Sequence, residues 1–204
     1  EVMATGTAAE NGAAVLAAIV TAQGLGVTVD APVVVQVGPG LFDLTNASLD
    51  LSVMSGITLR GHGREATVLT TAASGSPAVL MGRDNTLADL SVRNTEGDGN
   101  AIKVNAAASE RGAFGDETVA RLLNVRAELQ GSANLDSVVV AVVNDMALEH
   151  CVLVNNTAGV GNNFGMLAQI EGGVVSTPQV RIKDSTVHVG FVDNGSRYGV
   201  FAKS

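Results

Sequence analysis

The stretch Leu87-Ala-Asp-Leu-Ser-Val92 decides how this chain folds. Side chains alternate across a strand, so Leu87 shares a face with Asp89, and Leu90 shares one with Val92. Both leucines and Val92 point inward only if the backbone bends at Asp89. Such a bend uses the left-handed region, which Gly, Asn, Asp and His enter most easily. The stretch therefore predicts two short strands that meet at one bent residue.

The same pattern recurs four more times, at intervals of 26 to 35 residues. The five bent positions are Gly56, Asp89, Asn124, His150 and Asp184. Repeats of 20–50 residues indicate a solenoid. In stacked coils these five residues, the corner column, would lie in a row with neighbours about 4.8 Å apart. We expect a structural role for all five, including His150.

A second motif follows each variable loop and predicts the next strand of the coil. It reads Asn-Ala-Ile-Lys-Val over residues 100–104, Gly-Met-Leu-Ala over 165–168 and Gly-Val-Phe-Ala over 199–202. Aligning the three places Ile102, Met166 and Val200 inside the coil.

The outward side of this predicted strand is apolar. Leu167 and Phe201 point outward in the alignment, and residues 138–143 are apolar on both faces. A strand that is apolar on both faces is normally covered on both. We therefore predict Val139, Leu167 and Phe201 as subunit-interface residues. The alternative is that loop 105–117 or loop 171–178 of the same chain covers them.

Residues 33–44, Gly-Ile-Thr-Leu-Arg-Gly-His-Gly at 56–63 and Thr-Val-Leu at 67–69 resemble the opening coil of one superfamily. This is the pectin-lyase-like superfamily of right-handed parallel β-helices, which includes many phage tail-spike and surface-protein solenoids. The resemblance covers residues 32–204. It implies an all-β, single-stranded, right-handed parallel β-helix of about six coils. This scaffold hosts lyases, hydrolases, esterases and non-enzymes, so the resemblance implies the fold and leaves the activity open.

The first 31 residues predict a capping segment ahead of a β-helix over residues 32–204, with one domain overall. Asn11 is placed to begin an α-helix that runs to about Gln23 and ends at Gly24. Its apolar side would carry Val15, Leu16, Ile19 and Val20. Such a helix would cover the first coil, whose core is otherwise open to water.

Composition limits the partners. The chain has 204 residues and a formal net charge of −8, which argues against nucleic acid and anionic membrane surfaces. No apolar run is long enough to insert across a bilayer. Cys151 is the single cysteine, so no intrachain disulfide forms, and its place in the repeat predicts a buried small apolar side chain.

Two tripeptides, Gly61-His-Gly63 and Arg181-Ile-Lys183, match motifs of the polygalacturonase family within this superfamily. In that family the two lie about a coil apart and accompany acidic motifs. Here His62 and Arg181 are far apart in sequence and those acidic motifs are absent. His62 falls in a Gly-x-Gly turn, where a variable residue is expected, and we predict no polygalacturonase site.

Carboxylate pairs are the next candidates for catalytic or metal-binding groups. Asp89 and Asp184 share the corner column three coils apart, about 14 Å by strand spacing, which is too far for glycoside hydrolysis. Glu96 and Asp98 are close in a loop and could bind Ca²⁺ through oxygen ligands, but their spacing matches no established calcium loop, which favours a solvated turn. Lys103 is the one basic residue expected on the relevant wall. We expect no catalytic, cofactor-binding or metal-binding residue.

The sequence thus predicts a structural or surface β-helix of the fibre, spike or appendage type that associates with itself. An extracellular, cell-surface or virion-associated location follows by analogy with the superfamily. The alternative is a polysaccharide lyase, a glycoside hydrolase or a glycan-binding module whose site is completed at a subunit interface. Exposed aromatic rings would favour glycan binding, but the chain has no Trp and a single Tyr, Tyr198.

Overall fold

The computed structural model describes residues 1–96, 99–105, 119–131, 137–142, 145–157, 163–169, 180–189 and 197–203. These residues form an all-β architecture with parallel sheets and one α-helix, α1 (Ala8–Gly24). The strands, in chain order, are β1 (Val33–Gln36), β2 (Gly40–Asp43), β3 (Leu49–Asp50), β4 (Ile57–Arg60), β5 (Thr67–Thr71), β6 (Val79–Met81), β7 (Thr86–Ala88), β8 (Ser91–Asn94), β9 (Ile102–Asn105), β10 (Val119–Leu123), β11 (Arg126–Gly131), β12 (Ser137–Val142), β13 (Asp145–Glu149), β14 (Val152–Thr157), β15 (Asn163–Gln169), β16 (Val180–Lys183), β17 (Thr186–Val189) and β18 (Arg197–Lys203).

Three parallel sheets share these strands. The first sheet has the order β1-β4-β7-β10-β13-β16, the second β2-β5-β8-β11-β14-β17 and the third β3-β6-β9-β12-β15-β18. The chain therefore visits the three sheets in turn. We call three consecutive strands, one from each sheet, a round, so that β1–β3 form the first round and β16–β18 the last. This arrangement is compatible with a β-helix-like solenoid.

Like residues stack in the core because the strands are in register. In the first sheet Leu59 pairs with Leu87, Leu87 with Leu122 and Leu122 with Leu148, and all four side chains are buried. In the second sheet Phe42, Leu69 and Val92 form a similar buried column. Burying one such side chain contributes about 1.5–3 kcal/mol, so these columns dominate the stability of the stack.

Helix α1 begins one turn earlier than the sequence predicts. Its N-cap is Thr7, whose side chain accepts from the Glu10 amide while the Glu10 carboxylate accepts from the Thr7 amide, a complete capping box. The prediction that Asn11 caps the helix is wrong, because its side chain is buried and accepts from the Thr5 and Gly6 amides. The predicted end at Gly24 is confirmed.

One side of α1 lies against the open edge of β2. Asn11 Nδ2 donates to the Leu41 carbonyl over 3.3 Å. Gly12 allows the close approach, since a Cβ atom there would lie 1.9 Å from the Asp43 carbonyl oxygen. Val15 and Ile19 enter the main core, whereas Val20, predicted on the same side, is exposed.

Buried polar side chains form hydrogen bonds with the backbone at the turn between the second and third sheets. Thr71 Oγ1 lies 3.1 Å from the Thr45 carbonyl oxygen and 2.9 Å from that of Ala47, so its one hydroxyl hydrogen can bond either. Asn94 Nδ2, one round later, lies 3.2 Å from three carbonyl oxygens, and Asn155 Nδ2 donates to the Phe164 carbonyl. These bonds satisfy backbone groups that the turn would otherwise bury without a partner.

Candidate functional site

Four residues of the predicted corner column lie side by side. The strand register places Asp89, Asn124, His150 and Asp184 at the same position of four successive rounds, directly after β7, β10, β13 and β16. Their φ angles are 55°, 54°, 55° and 48°, so each has the left-handed conformation. This conformation is costly for most residues and tolerable for Asn, Asp and His, which explains the residue types in the column.

Gly56 does not belong to this column, and the sequence register was wrong for the first repeat. Because Arg60 pairs with Ala88, the residue beside Asp89 is Gly61. A Cβ atom on Gly61 would lie 2.3 Å from the Asp89 carbonyl oxygen, so the column requires glycine there. Gly56 has a positive φ of 83° but precedes β4, where it packs against the Thr28 carbonyl.

Side chains of the column also interact with one another. Asn124 Nδ2 donates to Asp89 Oδ1 over 2.9 Å, and Arg60 Nε lies 3.9 Å from Asp89 Oδ2. His150 is exposed, and its Nε2 atom lies 4.0 Å from Glu149 Oε1. Asp89 and Asp184 remain three rounds apart. The column is a structural corner and does not gather a pair of carboxylates.

The predicted interface row on the third sheet is partly wrong. Val139 is fully buried in the main core, where it pairs with Ile102 and Met166, so it cannot lie at a subunit interface. A run of valines carries no alternation from which its inward and outward positions could be read. The outward row instead contains Lys103, Val140 and Leu167 in register.

Val140, Val142 and Leu167 form a second apolar cluster, separate from the main core. Val140 and Val142 are buried within the single chain, and Leu167 is half-buried. Phe201 pairs with Leu167 by backbone register, but its side chain lies outside the described part of the structure. Because Val140 and Val142 are already buried within one chain, this row does not need a second subunit to cover them.

A cluster of charged groups on the outer face of the second sheet surrounds Glu128. Its carboxylate is buried and accepts from Gln130 Nε2 over 2.5 Å, and its Oε2 atom lies 3.4 Å from both Arg93 and Arg126. Burial acts to raise the pKa of Glu128, but Gln130 and the two guanidinium groups outweigh it, so the pKa lies below its usual range. We name these four residues the Glu128 cluster. No local sequence pattern indicates this cluster, because Arg93 and Glu128 meet only through the strand register.

A second carboxyl that burial affects belongs to Asp84, a half-buried residue in the turn between β6 and β7. Its φ is 56°, and burial raises its pKa in spite of the nearby Arg83 and Arg121 guanidinium groups. The Val119 amide also hydrogen-bonds the Asp84 carboxyl, but the buried atoms Asp84 Oδ2 and Asn85 Oδ1 have no hydrogen-bond partner among the described residues.

The placement of the residues supports neither a polygalacturonase site nor a calcium site. His62 lies in the second round and Arg181 in the last, four strand spacings or about 19 Å apart. Glu96 is exposed, and Asp98 lies outside the described residues. Within the described ranges, no three His, Cys, Asp or Glu side chains are grouped so that they could hold a metal ion.

Two aromatic rings that are distant in sequence meet on the third sheet. Phe164 and Tyr198 occupy the same position of the last two rounds, and their rings stack with centroids 5.2 Å apart at an angle of 16°. Tyr198 is exposed. Local sequence patterns do not reveal this pairing, because it depends on the strand register.

Cys151 is buried next to the corner residue His150. Its Sγ atom lies 3.3 Å from the Leu122 carbonyl oxygen, and burial raises the pKa of the thiol. The predicted buried position is confirmed.

No protein-family model matches this chain, and no curated protein or solved structure matches it. None of the helices among the described residues is long and apolar enough to cross a membrane.

Proposed function

We propose that this chain is a right-handed parallel β-helix of the pectin-lyase-like type that acts as a non-catalytic structural module and associates with itself. A fibre, spike or appendage at an extracellular, cell-surface or virion location is the setting that fits such a module. The three parallel sheets with interleaved strand order support the fold. The right-handed winding and the membership of the pectin-lyase-like superfamily are proposed together with the function.

The observation that carries self-association is the exposure of core positions in the last round. Ile182 and Val200 are 39% and 52% exposed, although they pair with Leu148 and Met166, which are almost fully buried. Exposed apolar surface costs about 25 cal/mol per Å² to keep in water, so these two side chains favour a contact that covers them.

The outward row of the third sheet is a weaker candidate for the contact. Val140 and Val142 are already buried in one chain, which leaves Leu167 and Phe201 as residues that could meet a partner. Their presence at a subunit contact stays a prediction. Replacing both with Asp tests it.

Sedimentation velocity over a wide concentration range tests the proposal. We expect species larger than one chain, with association weakened by Val200→Asp. Thr186→Asp is the matched control, because Thr186 is exposed on the outward side of the same round and should leave association unchanged. Reducing-sugar and unsaturated-product assays on acidic polysaccharides should detect no product. A monomer at every concentration, or sugar cleavage by the purified chain, would contradict the proposal.

The second candidate is a glycan-binding module, and the stacked rings of Phe164 and Tyr198 favour it. Sugar rings pack their C–H faces on aromatic rings, and the Phe164–Tyr198 stack has Tyr198 as an exposed member. Calorimetric titration with neutral and acidic oligosaccharides would show binding that Tyr198→Ala abolishes. Phe42→Leu, in the buried core of the opposite end, should leave such binding intact.

A further inference from the structure

The second round carries five residues at its corner that the next three rounds lack. Gly61 holds the corner position, and residues 62–66 separate it from Thr67, which the strand register places beside Leu90. We name residues 62–66 the corner loop. In rounds three to five a buried residue follows the corner residue directly, and these three residues, the seam between the first and second sheets, are Leu90, Val125 and Cys151.

The corner loop is bound to the third round at two points. The Gly63 amide donates to the Asp89 carbonyl over 2.8 Å, and Ser91 Oγ donates to the Arg64 carbonyl. At the base of the loop, the His62 amide donates to Thr67 Oγ1 over 2.9 Å. The loop therefore runs along the stack, in the direction of the later rounds.

Arg64 extends these contacts to the fifth round. Its Nη1 atom donates to the His150 carbonyl over 3.4 Å, although the two residues are 86 positions apart in sequence. The guanidinium also lies near Cys151, because burial raises the pKa of this thiol and the positive charge of Arg64 opposes that rise. The Arg64 side chain is 38% exposed, so water competes for its hydrogen bond and the contact can open.

Strand pairing gives the stack no connection of this length. Each strand pairs with the strands three places before and after it, so a round is held by its immediate neighbours. The bond from Arg64 to His150 instead joins round two to round five. It therefore spans the seam at rounds three and four.

We infer that the corner loop is a strap over the seam, held closed by the bond from the Arg64 guanidinium to the His150 carbonyl. While this bond is formed, the seam beside Cys151 is closed. When it breaks, the seam opens locally and admits a small polar molecule to Cys151, and the rest of the chain stays folded. The strap acts within one chain, so the inference does not depend on self-association.

Arg64→Ala tests the strap, with the rate of modification of Cys151 in the folded chain as the readout. An anionic aromatic disulfide reagent should react roughly fivefold faster with the variant, because a hydrogen bond no longer opposes opening. Electrostatics alone predicts the opposite change. Without the Arg64 charge the thiol forms less thiolate and attracts an anionic reagent less. A faster reaction therefore reports access to the thiol.

Arg60→Ala is the matched control. Arg60 also carries a guanidinium at this corner, but it lies 3.9 Å from Asp89 in the adjacent round, and its removal should leave the rate unchanged. Ser91→Ala removes the hydroxyl that binds the Arg64 carbonyl and keeps the Arg64 charge. It should speed the reaction roughly threefold, and it carries the test if circular dichroism shows that Arg64→Ala fails to fold.

Urea distinguishes local opening from unfolding of the whole chain. Global unfolding depends steeply on urea because it exposes a large surface, whereas a local opening exposes little. Below the unfolding transition, the rates of the wild type and of Arg64→Ala should therefore stay level. A steep rise from the lowest urea concentrations, a rate in Arg64→Ala at or below that of the wild type, or an equal acceleration in Arg60→Ala overturns the strap.

Discussion

Asn124 Nδ2 donates a hydrogen bond to Asp89 Oδ1 over 2.9 Å, although the two residues are 35 positions apart in sequence. Both have φ near 55°. The corner column thus combines two roles in one side chain. Asn and Asp tolerate the left-handed backbone, and they also link one round to the next.

The Asn124 corner can be separated into its two contributions. Asn124→Gly removes the bond to Asp89 but keeps a relaxed backbone, and should lower the free energy of unfolding by about 1 kcal/mol. Asn124→Val removes the bond and also forces a β-branched residue to a positive φ, for a total loss of about 3 kcal/mol. Urea unfolding measures both. Equal stability of the two variants would contradict a strained corner.

Gly12→Ala should loosen α1 from the first round. The added Cβ would lie 1.9 Å from the Asp43 carbonyl oxygen, a backbone atom that cannot move aside easily. We expect a loss of about 2 kcal/mol and a lower melting temperature. Gly24→Ala is the control, because a Cβ there meets nothing within 4 Å. A Gly12→Ala variant as stable as the control would show that the helix is not fixed at this point.

Glu128 should make stability depend on pH in the acid range. Its pKa is lowered in the folded chain, so its contribution is fully present above the ordinary value of 4.5 and is lost as pH falls through the lower folded value. At neutral pH, Glu128→Gln should cost about 2 kcal/mol by weakening the bonds to Arg93 and Arg126.

Thermal melts of wild type and Glu128→Gln from pH 7 to pH 3 measure this effect. The difference between them should close as pH falls. Glu65→Gln is the control, because Glu65 is exposed and its pair with Arg64 should contribute under about 0.5 kcal/mol. A difference that stays constant or widens in acid would refute the assigned role of the Glu128 carboxylate.

Cys151 should react slowly with a polar disulfide reagent in the native state. The thiol is buried and its pKa is raised by that burial, so little thiolate is accessible. The reaction should become fast in about 6 M guanidinium, which unfolds most domains. Ala13→Cys, on the exposed side of α1, provides the reference rate. Native-state modification of Cys151 as fast as that reference would contradict its burial.

The repeat from Leu87 to Val187 could be read from sequence because its apolar pairs fix both the strands and the bend. The first repeat could not, because five residues separate Gly61 from Thr67 where Asp89 is followed directly by Leu90. With these five extra residues, the interval from Gly56 to Asp89 happens to match the interval of the true repeats. Val139 failed for a different reason, since a continuous valine run has no polar residue to mark its outward side.

The Glu128 cluster and the Phe164–Tyr198 stack could not be predicted from local patterns. Their members come from different rounds and meet only when every strand has its correct register. An error of one residue in a loop of variable length moves a side chain to the opposite face. Local patterns therefore predict the columns of the core but not the contacts between outward residues.

The first and last rounds differ in how well their apolar side chains are covered, and this difference predicts the order in which the strands open. Each strand pairs only with the strands three places before and after it, so loss of one round removes support from just its neighbour. Helix α1 protects the first round, whereas the last round exposes Ile182 and Val200. Amide hydrogen exchange should therefore be fastest in β16–β18 and slow progressively toward β5. The chain would unzip from one side, and whatever binds the last round would slow exchange along the whole stack.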